Sequence, residues 1–229
     1  MFRVIISHNQ SKYISLFPKN SLFVFDDIKS EDIKECHGNK FITVESKGNR
    51  GYNRNAGLNY ILKTFNTKDS DVIEFFDGDR FPIKYNEEYV KRIIHENNLG
   101  VLLYSCENDE RHKRINFDLF KIVDTGTICN PFYSCGFAIT VGAIKKIFEI
   151  NGNELFDTSF NKWGCEDQYL GILCDKLGIK VAITKEIILN GSVGGDSGLH
   201  NNYRESLQHY VNKILALGME LRMIPKENS

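Results

Sequence analysis

The segment Asp71-Val-Ile-Glu-Phe-Phe-Asp77-Gly78-Asp79 ends a short apolar run in two carboxylates one residue apart. If the run is a buried strand, both acids emerge at its carboxyl end on the same side, because side chains alternate with period two. Two hard oxygen ligands at the mouth of a sheet suit Mg²⁺ or Mn²⁺, and such an ion suits a diphosphate. The chain carries its own control. Asp69-Ser70-Asp71 has the same spacing, but it follows Asn-Thr-Lys and precedes the apolar run, so it reads as a solvated turn.

A second acidic pair, Glu166-Asp167, opens a helical pattern just after Trp163-Gly164. Carboxylates are favoured there by the helix dipole, so simple capping is one reading and acid/base chemistry the other. The third feature is Gly191-Ser-Val-Gly194-Gly195-Asp-Ser-Gly198-Leu-His200. Its glycines allow movement or a close backbone approach to a phosphate.

These residues need a frame. Apolar runs of strand length recur at Phe2–Ile6, Leu22–Phe25, Phe41–Val44, Val72–Phe76, Val101–Tyr104, Phe137–Thr140, Ile179–Ile183 and Ile187–Leu189. Their near-continuous hydrophobicity suits strands buried on both faces. Helical patterns lie between them at Asn53–Phe65, Glu87–Asn97, Val141–Ile150, Glu166–Leu177 and Arg204–Leu221. The alternation predicts an α/β fold: a single Rossmann-like, mostly parallel sheet flanked by helices. Ligands of such sheets bind beyond the carboxyl ends of the strands. Ser7-His8-Asn9 follows the first strand, Asp26-Asp27 the second and Asp77-Gly78-Asp79 the fourth, while Arg54 starts the helix after the third. All four fall on one predicted rim.

Composition bounds the function. The 229 residues suffice for one α/β domain, and 41% hydrophobic with 26% charged residues is ordinary for a soluble protein. A net charge of −1 gives no basic field for nucleic acid. No apolar run reaches the ~20 residues that span a bilayer, and the amino terminus is too strand-like for a signal peptide, so a cytoplasmic protein without an integral membrane segment is expected. The six cysteines have no Cys-x-x-Cys or zinc spacing and read as reduced thiols.

The ordered set Val-Ile-Ile-Ser-His-Asn, Phe-Val-Phe-Asp26-Asp27, Gly51-Tyr-Asn-Arg54-Asn55-Ala-Gly57, Phe-Phe-Asp77-Gly-Asp79, Ser134-Cys-Gly136-Phe-Ala-Ile and Trp163-Gly-Cys-Glu166-Asp167 resembles GT-A fold glycosyltransferases. The nearest likeness is to family 2, with features shared by the β-1,4-galactosyltransferase family, from residue 2 to about His200. The resemblance implies one GT-A domain over 1–229, with a nucleotide-binding half (1–105), an acceptor-binding half (106–203) and a packing helix (204–229). It implies a UDP-sugar donor, a glycan or glycoconjugate acceptor and Mn²⁺ or Mg²⁺. In its terms Ser7, His8, Asn9, Asp26, Asp27, Arg54, Asp77 and Gly78 meet the nucleotide, with Asp26 or Asp27 taking the uracil. Asp79 and His200 ligate the metal. Asp167 is the catalytic base of an inverting transfer, and Glu166, Trp163 and Gly136 serve the acceptor. Arg80 stands where the family usually carries a further acid, so it could alter donor contacts or pair with Asp79. Two other readings remain: a phosphatase of the haloacid dehalogenase type with Asp77 as nucleophile, and a sugar-nucleotide or glycan-binding module without turnover.

Overall fold

A computed structural model describes residues 1–8, 11–27, 38–107, 117–132, 135–160, 165–191 and 203–223. The strands are β1 (Phe2–His8), β2 (Leu22–Asp26), β3 (Lys40–Val44), β4 (Val72–Asp77), β5 (Pro82–Lys84), β6 (Val101–Cys106), β7 (Phe120–Val123), β8 (Gly136–Thr140) and β9 (Val181–Leu189). The helices are α1 (Arg50–Thr64), α2 (Glu87–Glu96), α3 (Val141–Ile150), α4 (Glu166–Lys176) and α5 (Tyr203–Ala216), with a 3-10 turn at Ser11–Leu16.

The strands form one nine-stranded sheet in the order β3-β2-β1-β4-β8-β6-β9-β5, with β7 also on β9. β1 is parallel to β2 and β4, β2 to β3, and β6 to β9, while β8 lies antiparallel between β4 and β6. β1, β2, β3, β4, β6 and β9 therefore point one way, and β5, β7 and β8 the other. The inward alternation of the central strands feeds two cores. Val4, Ile6, Ile73 and Phe75 pack with α1, α3, α4 and α5, and Ile5, Val72 and Phe76 pack with α2 and the 3-10 turn.

The structure corrects several expectations. Ile179–Ile183 and Ile187–Leu189 belong to one strand, β9, whose polar middle is a bulge against β6. β3 is not buried on both faces: it is the outer strand, and Phe41 is 38% exposed. The short strands β5 and β7 and the 3-10 turn had no clear apolar run. The last helix ends at Ala216, five residues before the expected Leu221. α1 begins earlier than its apolar pattern, because Asn49 caps it by accepting from the Tyr52 amide at 2.9 Å.

α1 sits very close to the sheet. A Cβ on Gly57 would lie 2.4 Å from Val4 Cγ1 and 2.9 Å from Val24 Cγ2, so glycine is what lets this helix reach β1 and β2. Gly57→Ala is expected to destabilise the fold by about 1–3 kcal/mol, the usual cost of overpacking. Val4→Ala made in the same chain should recover part of the loss in urea unfolding. Equal stability of Gly57→Ala and the parent would show that the helix rides higher than described.

Candidate active site

At the carboxyl rim of the sheet the first turns of α1 supply three consecutive polar side chains, each with a different partner. Asn55 faces the segment before α4. Its Oδ1 accepts from the amides of Leu155 and Phe156 at 3.2 and 3.1 Å, and its Nδ2 donates to the Phe156 carbonyl at 2.7 Å. Asn53 reaches Asp26. Arg54, only 1% exposed, lies between the two acidic pairs. Its Nη2 donates to Asp77 Oδ1 at 2.7 Å and its Nη1 to Glu166 Oε1 at 3.2 Å, with the guanidinium 5.0 Å from the centre of the Phe156 ring. Burial works against the guanidinium's charge, but Asp77, Glu166 and Asp167 outweigh it and hold the proton on.

The acid-bearing turn is held from below. Gly78 N donates to the Ile6 carbonyl at 2.7 Å, Asp77 N to the Cys135 carbonyl at 3.1 Å and Arg80 N to the Asp77 carbonyl at 2.9 Å. A Cβ on Gly78 would meet Ile6 O at 2.8 Å and Ser7 Oγ at 3.0 Å. The glycine between the acids is thus required by the approach of the turn to β1. Arg50, one helical turn before Arg54, faces the second Asp77 oxygen at 3.9 Å. Arg80 donates to the Asn190 carbonyl at 3.3 Å, and the Asp79 carboxylate has no ion-pair partner among the described residues.

The charges are unevenly compensated. Burial, then the neighbouring Asp77, pushes the Asp79 carboxyl upward against the pull of Arg80 and Arg50. Burial, then Asp167, pushes Glu166 up to about 7 although Arg54 opposes the shift. A cation beside Asp79 would relieve the repulsion from Asp77, and carboxylate oxygen is the donor that Mg²⁺ and Mn²⁺ prefer. Among the described residues no group of three His, Cys, Asp or Glu side chains is poised to hold a metal, so an ion at Asp79 would need ligands from outside them. Four buried polar atoms on this rim lack a partner among the described residues: Ser7 Oγ, Asn53 Oδ1, Arg54 Nε and Asn190 Oδ1. Such atoms cost ~1–3 kcal/mol each when left unpaired, and their concentration here marks a place for a polar ligand or water.

The remaining sequence candidates have varied surroundings. Asp26 is tied into the loop after β3: its carboxylate accepts from Ser46 N and Oγ at 2.8 and 2.6 Å and from Gly48 N at 3.0 Å. Burial acts upward on it, but the bonds from Ser46, Asn53 and Gly48 prevail and hold it low. Asp27 is exposed at the strand end, with φ 56°. His8 closes β1 opposite Asp26. Gly136 is packed in the sheet: a Cβ would lie 2.5 Å from Leu189 Cδ1, so its small size serves the core. Asp167 is half-buried and accepts from the Gln168 amide at 2.8 Å. Asn9, Trp163 and His200 lie outside the described residues. The sequence motifs include Asn55 without a role and omit Arg50, Phe156 and Asn190. Arg50 was detectable at i−4 from Arg54, whereas Asn190 left no local signal.

No protein-family model and no curated protein matches the chain. Solved structures do. S. aureus TarS matches with a TM-score of 0.60 and 16% identity over 97% of this chain. GalNAc-T7, crystallised with UDP, GalNAc and Mn²⁺, matches with 0.63 and 11% over 92%. S. aureus TarS 1-349 in complex with UDP-GlcNAc matches with 0.58 and 17% over 97%. The fold is GT-A. This chain spans 40% of the longer TarS chain and 47% of GalNAc-T7. At these identities the likeness is one of architecture.

The upward shift of Glu166 has a stability consequence. The folded state keeps this proton above the ordinary 4.5, so the contribution is fully present below about 4.5 and is lost as pH rises towards about 7. Glu166→Gln removes that titration. In urea unfolding the variant should gain on the parent as pH rises through this window. A constant difference would show that Glu166 titrates normally.

Proposed function

We propose that the chain is a metal-dependent, inverting glycosyltransferase that moves a hexosyl group from a UDP-sugar to a hydroxyl of a glycan or glycoconjugate in the cytoplasm. The observation that carries this reading is the Arg54 bridge: it joins Asp77, beside the candidate metal acid, to Glu166, beside the candidate base, at 2.7 and 3.2 Å. The GT-A neighbours include structures with UDP, UDP-GlcNAc and Mn²⁺.

In this reading residues 1–105 hold the nucleotide and 106–203 the acceptor, and the finer kinship is with family 2 and the β-1,4-galactosyltransferases. Asp27 takes the uracil, since the Asp26 oxygens are spent on Ser46 and Gly48. Ser7, Arg54, Asp77 and the backbone at Gly78 line the nucleotide, and His8 and Asn9 flank it. Asp79 and His200 would hold Mn²⁺ or Mg²⁺, which when bound would supply charge neutralisation for the departing diphosphate. Trp163 and Glu166 orient the acceptor. Asp167 accepts the hydroxyl proton as that oxygen bonds to the anomeric carbon, the bond to the diphosphate breaks, and UDP leaves with the electron pair. A phosphatase would need Asp77 as an open nucleophile. Here Arg54 holds one Asp77 oxygen at 2.7 Å and Arg50 faces the other at 3.9 Å, which favours the transferase.

Calorimetry with UDP and release of UDP from donor sugars test this. Asp79→Ala is expected to abolish Mn²⁺-dependent UDP binding, and its retention would remove Asp79 as a ligand. Asp167→Asn should bind UDP within about twofold of the parent but lose transfer by about 10²–10⁴-fold, the range for a general base. Unchanged transfer would remove Asp167 from that role.

A further inference from the structure

The end of β9 carries a residue that the sequence motifs do not include. β6 and β9 run in register until Tyr104 stands opposite Thr184, and then Ser105 stands opposite Ile188. Lys185, Glu186 and Ile187 are extra residues in β9. They form a bulge, a device that bends a strand and re-aims the residues beyond it. Past the bulge Leu189 pairs with Pro82 of β5, and Asn190 arrives beside the turn that bears Asp79.

Asn190 is 7% exposed and fastens that turn by three bonds. Its Nδ2 donates to the Asp79 carbonyl at 3.0 Å, its backbone N donates to the Phe81 carbonyl at 3.0 Å, and its own carbonyl accepts from Arg80 Nη1 at 3.3 Å. Nδ2 also donates to the Gly191 carbonyl at 2.7 Å. Because the amide nitrogen faces two carbonyls, which only a donor can satisfy, the orientation of the amide is fixed. Its oxygen is then left buried without a partner among the described residues. A buried acceptor of this kind is retained at a cost unless something at the site donates to it.

We propose that Asn190 is a positioning residue for the donor site, fixing Asp79 through its backbone carbonyl and offering its amide oxygen to a hydroxyl, or to a water bound with the metal and diphosphate. The inference rests on the UDP-sugar reading and adds a residue to that site. The bulge in β9 is what brings it there, so the bulge is part of the donor site's construction. Arg80 then has a defined task as well. It ties the turn to Asn190 and leaves the Asp79 carboxylate free for a cation, instead of pairing with it.

The test measures UDP binding as a function of Mn²⁺ concentration by calorimetry, with the melting midpoint of each protein recorded without ligand. Asn190→Ala and Asn190→Ser, the latter keeping a small polar group, are compared with the parent and with Thr140→Ala. Thr140 accepts from Ala143 N at 3.2 Å as the cap of α3, at the other end of β8, so its loss reports general destabilisation. Both Asn190 variants should bind UDP about tenfold more weakly and need more Mn²⁺ for half-saturation, as expected for losing hydrogen bonds at a ligand site. Thr140→Ala should lower the melting midpoint and leave UDP binding unchanged. Parent-like UDP and Mn²⁺ binding in either folded Asn190 variant overturns the assignment of Asn190 alone. Absence of Mn²⁺-dependent UDP binding in the parent overturns the UDP-sugar reading, and the role of Asn190 with it.

Discussion

The buried Arg54 guanidinium organises the rim of this molecule. Arg54 is removed from water, and an isolated charge there would cost several kcal/mol even after relaxation. It is retained because Asp77 and Glu166 meet its two terminal nitrogens and the Phe156 ring lies under its face. Two of these partners come from distant parts of the chain. Its two terminal nitrogens are both paired only when β4, α1 and the start of α4 are all in place. Breaking such a pair typically costs ~3–5 kcal/mol, because it strands the charge left behind.

The same helix shows how short a segment can serve fold and site together. Asn53, Arg54 and Asn55 point to three different neighbours, which explains why α1 is weakly amphipathic and yet well anchored. Its burial rests on polar bonds at one end and on the close approach at Gly57 at the other. Asn49 adds to this by capping the helix and donating to the Thr158 carbonyl at 2.9 Å, so the residues before α4 are held to α1 at two points. The repulsion among Asp77, Asp79, Glu166 and Asp167 is thereby contained by geometry. Burial, and then this repulsion, push Asp79 and Glu166 upward, and the acids stay together.

A second buried ionic cluster lies on the opposite face and has no evident link to the rim. Glu74 accepts from Arg3 Nε at 2.8 Å and from the Tyr85 hydroxyl at 2.6 Å, and also bonds the Tyr104 hydroxyl. Burial leaves Glu74 shifted upward, although Arg3 and the two tyrosine hydroxyls pull the other way. This cluster joins β1, β4, β6 and the chain before α2. There every acidic oxygen is paired with a donor, whereas at the rim the polar groups are left partly unpaired, as a ligand site requires.

The order of apolar runs and the acids that end them were legible in the sequence, because a buried strand must be hydrophobic and the chain must turn where it leaves the core. Asp77-Gly78-Asp79 and Arg54 could be placed on one rim by that logic alone, whereas Glu166-Asp167 joined them only through the family resemblance. The pattern could not supply pairing. That β8 runs against its neighbours, that the outer β3 is half-exposed, and that two runs near the end are one bulged strand all depend on which backbone lies beside which. That Asp26 is tied down while Asp27 stays exposed comes from Ser46 and Gly48, which are distant in sequence. Asn190 came to the acids only through three extra residues in β9, a feature of register and not of residue type. The sequence determined which groups could do chemistry, since that is set by side-chain identity and local hydrophobicity. Only the tertiary structure decided which of them pair their charges, which share a hydrogen bond and which acceptors are left without a donor, because those are properties of distance.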